Sequence, residues 1–370
     1  MSGSKESRAD VVSAELTPMP LAETWPPWPD GLTAENWPAM RQDIRRRFLS
    51  ILGPFPDVLP APQVQTLEQH DDGRYRRMKI SFNVEVDDRS YAWLLIPKSI
   101  RGKRAGVLAM HCSTRGTGKD RIVNLRGYKP EDPPAPDYAY AIRLVEAGCV
   151  VVAPDVWGDG NRISRETGIA RDTRPFYQKH PEWSYSGKII WDTMRTLDVL
   201  CSLPEVDASR IGITGHSLGG NVAVHTAAFD DRIAAIVSSG CTAAWYEKHQ
   251  PDGWACDDSK GEINCSVRRL RPYLTEDKWR TIPVHWPEIL SLAAPRPFLC
   301  IQAGVAPHDD MEGHWRHYGS NHAGCRQIYR MLGAEDRVSF MKTGLGHAFP
   351  PYAQAAMVEW FNRYLNTKVL

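Results

Sequence analysis

The sequence predicts an α/β chain with a mostly parallel central sheet and helices on both faces, and three observations carry that reading. From residue 74 onward, short apolar runs alternate with stretches of helical period, as strands joined by helical crossovers do. Two of these runs, Ala105–His111 and Cys149–Pro154, are continuous rather than alternating, the pattern of strands covered on both faces. A composition of 42% hydrophobic and 24% charged residues suits a globular body with a large core and excludes a disordered or fibrous one.

Residues 1–70 read as an N-terminal extension packed on the main domain. Trp25-Pro-Pro-Trp28-Pro and Trp37-Pro38 are too proline-rich for helix or central strand, so their tryptophans read as packing anchors. A short helix follows, with Ile44, Phe48, Ile51 and Leu52 on one face and Gly53-Pro54 as its stop. The main domain, 71–370, starts with strands Arg76–Asn83 and Tyr91–Pro97, paired around the turn-forming Asp87-Asp88. Between the two continuous runs, Asp137 is placed to cap a helix bearing Tyr140, Ala141, Leu144 and Val145, which Gly148 ends. A helix over 187–202 carries Ile190, Met194, Leu197 and Cys201 at helical spacing, and Pro204 closes it. Strand Ile211–Thr214, a helix from Leu218 and strand Ile233–Ser238 come next. The stretch from there to strand Pro297–Gln302 is longer than a crossover needs, so 241–294 reads as a cap-like insert. A helix near His322–Leu332, strand Val338–Lys342 and a terminal helix with Ala353, Met357, Trp360, Phe361 and Tyr364 on one face complete the chain.

Composition and motif argue against several functions. With 45 basic and 44 acidic side chains the net charge is +1, which lacks the field that nucleic-acid binders use. No run of eighteen apolar residues offers a membrane span, and Met1–Glu15 lacks the apolar core of a secretory signal, so the expected location is cytoplasmic. The eight cysteines show no framework spacing and read as reduced thiols; Cys256 and Cys265, flanking a polar loop, are the one pair to check for a bridge. Gly116-Thr-Gly-Lys119 lacks the spacing and final hydroxyl of a phosphate loop, and Gly158-Asp-Gly160 lacks the third glycine of a dinucleotide fingerprint. His308, Asp309, Asp310, Glu312, His314 and His317 have metal-capable side chains, but ligand type alone fits many ions, so neither metal nor cofactor is expected.

The strongest chemical signal is Gly215-His216-Ser217-Leu218-Gly219, where an apolar strand hands over to a helix. A serine on that sharp turn is held in a strained backbone that presents its hydroxyl at the sheet edge. Side chains two residues either side would clash with the neighbouring helix and strand, hence Gly215 and Gly219. Such a serine needs a base oriented by an acid. His347, in Gly344-Leu-Gly-His-Ala-Phe after the last strand, is the expected base. The acid belongs after Pro297–Gln302, where Asp309 is favoured over its neighbour Asp310. Two backbone N–H groups must hold the oxyanion, one from Leu218 and one from Ser113, with Cys112 as alternative. His111 is expected to brace that loop rather than catalyse.

On these motifs the chain resembles the α/β-hydrolase superfamily, and within it the dienelactone-hydrolase and acetyl-xylan-esterase-like serine esterases. The resemblance runs through Trp191-Asp192 to the elbow, Ala294-Pro-Arg-Pro-Phe-Leu and Gly346-His347-Ala-Phe, and covers roughly residues 75–368. It implies a carboxylic ester hydrolase with a Ser217–His347–Asp309 triad, acting on an acetyl or other short-acyl ester of a carbohydrate or a small molecule. Cys112 stands where relatives usually have glycine, and the acid loop is longer than usual. Of the 13 tryptophans, Trp157, Trp183, Trp245 and Trp254, in two long connecting segments, are expected to wall the substrate pocket. The expected partner is a small-molecule ester, with no nucleic acid or membrane and with homo-oligomerisation left open. The rival readings are an amide or peptide hydrolase with the same triad and a binding protein on the same scaffold.

Overall fold

A computed structural model describes residues 27–99, 101–241, 245–247, 250–251, 266–303 and 312–367. Helix α1 (Trp37–Leu52) buries Trp37, Ile44, Phe48, Ile51 and Leu52 and ends at Gly53, whose φ of 89° suits glycine. It starts earlier than the sequence suggests, because Pro38 sits in the first turn, where its missing N–H costs nothing. Strands β1 (Gln65–Asp71), β2 (Tyr75–Asn83), β3 (Arg89–Pro97) and β4 (Arg104–Met110) lead to helix α2 (Tyr140–Glu146) and strand β5 (Val150–Pro154). Asp137 does not cap α2: it lies in a 3-10 turn, Pro136–Tyr138, and Ala139 holds the cap position without a side-chain bond. Then come α3 (Arg174–Lys179), α4 (Tyr185–Ser202), β6 (Val206–His216), α5 (Leu218–Phe229) and β7 (Ile233–Ser239). A two-residue hairpin, Tyr246–Glu247 with Gln250–Pro251, precedes α6 (Trp286–Ser291), β8 (Phe298–Ala303), α7 (Glu312–Met331), β9 (Val338–Thr343) and α8 (Pro351–Leu365).

One nine-stranded sheet has the order β1-β2-β3-β5-β4-β6-β7-β8-β9. β1, β2 and β3 pair antiparallel and join β5 antiparallel, whereas β5-β4-β6-β7-β8-β9 run parallel. The predicted α/β architecture with a mostly parallel sheet is therefore the one observed. β4 and β7 are buried at every position but one and β5 at all five, which is why they read as continuous apolar runs. Two cores result, one on each face. One gathers α1, α4, α5 and α6 with Leu108, Val152 and Ile213; the other gathers α2 and α8 with Val107, Val151 and Val237.

Helix α1 is part of the first core. Phe48 stacks on Phe229 at 5.3 Å and meets the His225 ring edge-on at 5.0 Å, while Arg41 and Arg45 reach Asp231 at 2.6 Å. Trp28 packs edge-on against Trp37 and donates to the Gly324 carbonyl at 2.9 Å; Trp25 lies outside the described residues. Among the described residues no helix is long and apolar enough to cross a membrane. Six cysteines, 112, 149, 201, 241, 300 and 325, are free thiols, and Cys256 and Cys265 lie outside the described residues. Glu85, Asp88 and Asp192 come close enough to hold a cation, but Lys188 and Arg162 already pair with them.

Phe48 is fully buried, so Phe48→Ala should cost about 3–5 kcal/mol, read as a lower urea midpoint at unchanged slope. His225 is buried with Nε2 unpartnered, and burial holds its pKa down at about 3. Below the ordinary value of about 6.5 the unfolded chain takes up a proton that the folded chain refuses, so stability falls as pH falls through this window. The loss from this group is at most about 1.4 kcal/mol per pH unit. Urea titrations from pH 6.5 to 4.5 should show that slope, and His225→Leu should flatten it.

Candidate active site

The site forms at the carboxyl ends of the parallel strands. β6 runs through His216, and Ser217 turns the chain into α5 with φ 57° and ψ −119°, a strained backbone for a residue with a side chain. The turn is tight because the elbow presses on β4. A Cβ on Gly215 would lie 2.6 Å from the Met110 carbonyl oxygen, and one on Gly219 would lie 2.1 Å from it. The Met110 oxygen is in turn fixed by the Tyr140 hydroxyl, which donates to it at 2.6 Å. Ser217 N–H donates to the Ser239 carbonyl at 2.8 Å, which ties the elbow to β7.

His347 follows β9 in the loop after Thr343, and its Nε2 lies 2.8 Å from Ser217 Oγ. A Cβ on Gly240 would lie 3.0 Å from His347 Cε1, so a glycine follows β7 where the imidazole passes. The two residues, 130 positions apart in sequence, thus meet at hydrogen-bond distance. His216 lies beside them, its ring 4.8 Å from that of His347. Burial, then the neighbouring His347, holds its pKa well below the ordinary histidine value, so it stays neutral. Its Nδ1 is 3.0 Å from Ser239 Oγ. Asp309 and Asp310 lie outside the described residues.

Leu218 is the first residue of α5, where an N–H has no helical acceptor. Opposite it, the chain after β4 runs His111-Cys112-Ser113-Thr114. Among the described residues neither the Cys112 nor the Ser113 N–H meets a backbone acceptor, so both suit the role of second donor. His111 braces this loop: its Nδ1 lies 2.7 Å from the Cys112 carbonyl, and its Nε2 accepts from Val156 N–H at 3.1 Å.

Asp159 is a residue that the sequence reading passed over. Its fully buried carboxylate accepts from Thr114 N–H at 3.1 Å, Thr114 Oγ at 2.7 Å, Gly116 N–H at 3.1 Å and Gly160 N–H at 2.9 Å. Next to it Lys119 pairs with Asp155 at 2.6 Å, both buried. The sequence carries it as Gly158-Asp-Gly160, a carboxylate between two glycines just after β5. A carboxylate bonded to several backbone N–H groups holds a loop as firmly as it would hold a ligand.

The structure gives two of the expected pocket tryptophans to the core. Trp183 is buried against Gly53 and Gly187. Trp245 is buried, donates to the Val284 carbonyl at 2.9 Å and packs on Trp286 with ring centroids 5.2 Å apart. Both indoles spend their area on core packing. Trp157 is half-buried, edge-on to Phe176 at 5.4 Å and to Tyr185 at 5.9 Å. Trp254 lies outside the described residues.

Comparison with solved structures decides the fold. A glucuronoyl esterase from Solibacter usitatus superposes with a TM-score of 0.68 at 16% identity, over 90% of this chain and 93% of that one. A Bacteroides fragilis protein named as an acetyl xylan esterase superposes at 0.66 and 20% identity, over 92% of this chain and 83% of that one. The chain has the α/β-hydrolase fold. Within that fold, a family model described as "Glucuronyl esterase, fungi" matches residues 150–333, just under half of the chain, from β5 through α7. YtaP of Bacillus subtilis, named as a hydrolase, is 30% identical over 54% of this chain and 63% of its own length. A 4-O-methyl-glucuronoyl methylesterase of Wolfiporia cocos is 24% identical over 57% of this chain and 53% of its own length. The chain thus spans less than two thirds of the length of these sequence relatives. The α/β-hydrolase arrangement puts the elbow, the His347 loop and the chain after β4 at one sheet edge, as the ordering rule for this fold requires.

If Asp159 sets the loop after β4, Asp159→Ala should lower kcat about ten- to hundredfold on a nitrophenyl ester with little change in KM, because oxyanion donors act in the transition state. Steady-state kinetics beside a circular dichroism spectrum checks this. A change confined to KM would place Asp159 in ground-state binding instead.

Proposed function

We propose that this protein is a serine esterase that hydrolyses a carboxylic ester through an acyl-enzyme. The observation that carries the reading is the 2.8 Å approach of His347 Nε2 to Ser217 Oγ on a strained strand–helix turn. Ser217 Oγ–H gives its proton to His347 Nε2 as Oγ bonds to the ester carbonyl carbon. The oxyanion is received by Leu218 N–H and a second N–H from Ser113 or Cys112. His347 then protonates the departing alkoxide, leaving the acyl group on Ser217. Water, deprotonated by His347, attacks that acyl group and releases the acid. Asp309, with Asp310 as alternative, is assigned the task of holding His347 through Nδ1.

A sugar ester is the favoured substrate class. The matching family model is that of a glucuronyl esterase, and the similar structures include a glucuronoyl esterase and a protein named as an acetyl xylan esterase. Either chemistry, a uronic acid esterified to an alcohol or an acetylated sugar, presents the same carbonyl to Ser217.

Ser217→Ala should lower kcat on 4-nitrophenyl acetate by about 10⁴-fold or more while leaving the unfolding midpoint near that of the parent, since nucleophile and base act as a unit. An organophosphonate should label the parent at Ser217 and leave the variant unlabelled. Near-normal turnover by the variant would sink the mechanism.

A further inference from the structure

His216 closes β6 next to the nucleophile, and the reaction steps above give it no part. It is buried, and its ring meets the loop that carries the base. The His347 imidazole lies 4.8 Å from it at an interplanar angle of 36°, and Phe349, two residues further on, stacks on it at 5.9 Å and 20°. The ring also interacts with the His347 backbone. On its other side, His216 Nδ1 lies 3.0 Å from Ser239 Oγ, and the two residues face each other across the β6–β7 pair. Ser239 thus serves the elbow twice, since its carbonyl also accepts Ser217 N–H at 2.8 Å.

The loop between β9 and α8 has a need that this contact meets. Gly344 and Leu345 are exposed, and the loop's hydrogen bonds are local. Thr343 Oγ1 donates to the Leu345 carbonyl at 3.3 Å, Ala348 N–H to the Gly346 carbonyl at 2.6 Å and Gln354 Nε2 to the Phe349 carbonyl at 2.6 Å. Such bonds shape the loop without setting the plane of the imidazole, because the second side-chain torsion of a histidine is soft. Packing must set it. A Cβ on Gly240 would lie 3.0 Å from His347 Cε1 and 3.3 Å from His216 Cε1, so both rings close on the same bare glycine. Burial and the nearby His347 hold the His216 pKa well below its ordinary value. A neutral ring can pack against a base that turns cationic as Ser217 attacks, where a second cation would repel it.

We propose that His216 is a positioning residue whose ring, pinned by Ser239 Oγ, is the floor that sets the plane of His347 and aims its Nε2 at Ser217 Oγ. This rests on the serine-esterase reading above. His216 exchanges no proton and touches no reacting atom; it acts through His347. A base displaced by about 1 Å loses the alignment that proton transfer needs, at a cost of about a hundredfold in rate.

The test measures kcat and KM on 4-nitrophenyl acetate, with an unfolding midpoint for each variant. His216→Ala removes both ring and pin and should lower kcat about ten- to hundredfold, with KM within about twofold of the parent. His216→Phe keeps the ring and should recover part of that loss. Ser239→Ala keeps the ring and removes only the pin, so its loss should match that of His216→Phe. Combining His216→Phe with Ser239→Ala should cost no more than either change alone, because one bond is removed in all three. The rate at which an organophosphonate labels Ser217 should fall in the same order. Should His216→Ala not fold, the two single changes that keep the ring decide the matter with their combination. Parent-like kcat in both of them, additive losses in the combination, or losses confined to KM overturn the inference and leave the esterase reading intact. A parent that neither turns over the ester nor takes the label removes the esterase reading, and this inference with it.

Discussion

The carbonyl oxygen of Met110 is the point on which the site turns. It sits at the end of β4, is held by the Tyr140 hydroxyl, and lies so near the elbow that no Cβ fits at Gly215 or Gly219. That approach forces the chain to reverse within one residue, which places Ser217 at positive φ with its side chain clear of strand and helix alike. A relaxed turn would let α5 drift from β4, and the N–H of Leu218 would lose its place opposite the loop that begins at His111. The strain at one serine is stored by two closely packed parallel strands and a helix, and the two cores above and below the sheet keep it stored.

A second consequence concerns charge. The catalytic edge is built on buried ionic groups that are internally satisfied: Lys119 with Asp155, Asp159 with backbone N–H groups, Arg162 and Lys188 with Asp88 and Asp192. Such pairs add little to stability compared with a well-packed apolar core, but removing one partner strands a buried charge, so the loops they join have few alternative arrangements. His216 remains neutral beside His347, its proton affinity held down by burial.

The parallel strands and the elbow were legible because burial on both faces leaves unbroken apolar runs and because the glycine spacing answers a steric need that Met110 imposes. β1 was not legible: every residue of Gln65–Asp71 is exposed, so neither face carries an apolar signal and backbone pairing to β2 alone makes the strand. The short helices Arg174–Lys179 and Trp286–Ser291 were missed for a related reason, being too brief for a helical period to register. At the site, Ser217 and His347 could be paired from chain order, whereas Asp159 could not. Its role is to accept from backbone groups whose positions exist only once β4 and β5 lie side by side.

The tryptophans show where sequence and structure part company on specificity. Their number invited an aromatic pocket, yet Trp37, Trp93, Trp183, Trp191, Trp245 and Trp286 are buried, and Trp191 and Trp245 donate their N–H groups to backbone carbonyls within the core. A buried indole with its N–H satisfied is fixed in place and rigidifies the framework, but it cannot rearrange to meet a ligand. Discrimination near Ser217 then falls to groups that keep both a reactive surface and unspent bonding capacity. The half-buried ring of Trp157, just after β5, is such a group. An apolar wall separates substrates by about a factor of ten to a few hundred per methylene, whereas a fixed charge in a partly desolvated site rejects a ligand that leaves it unpaired far more strongly.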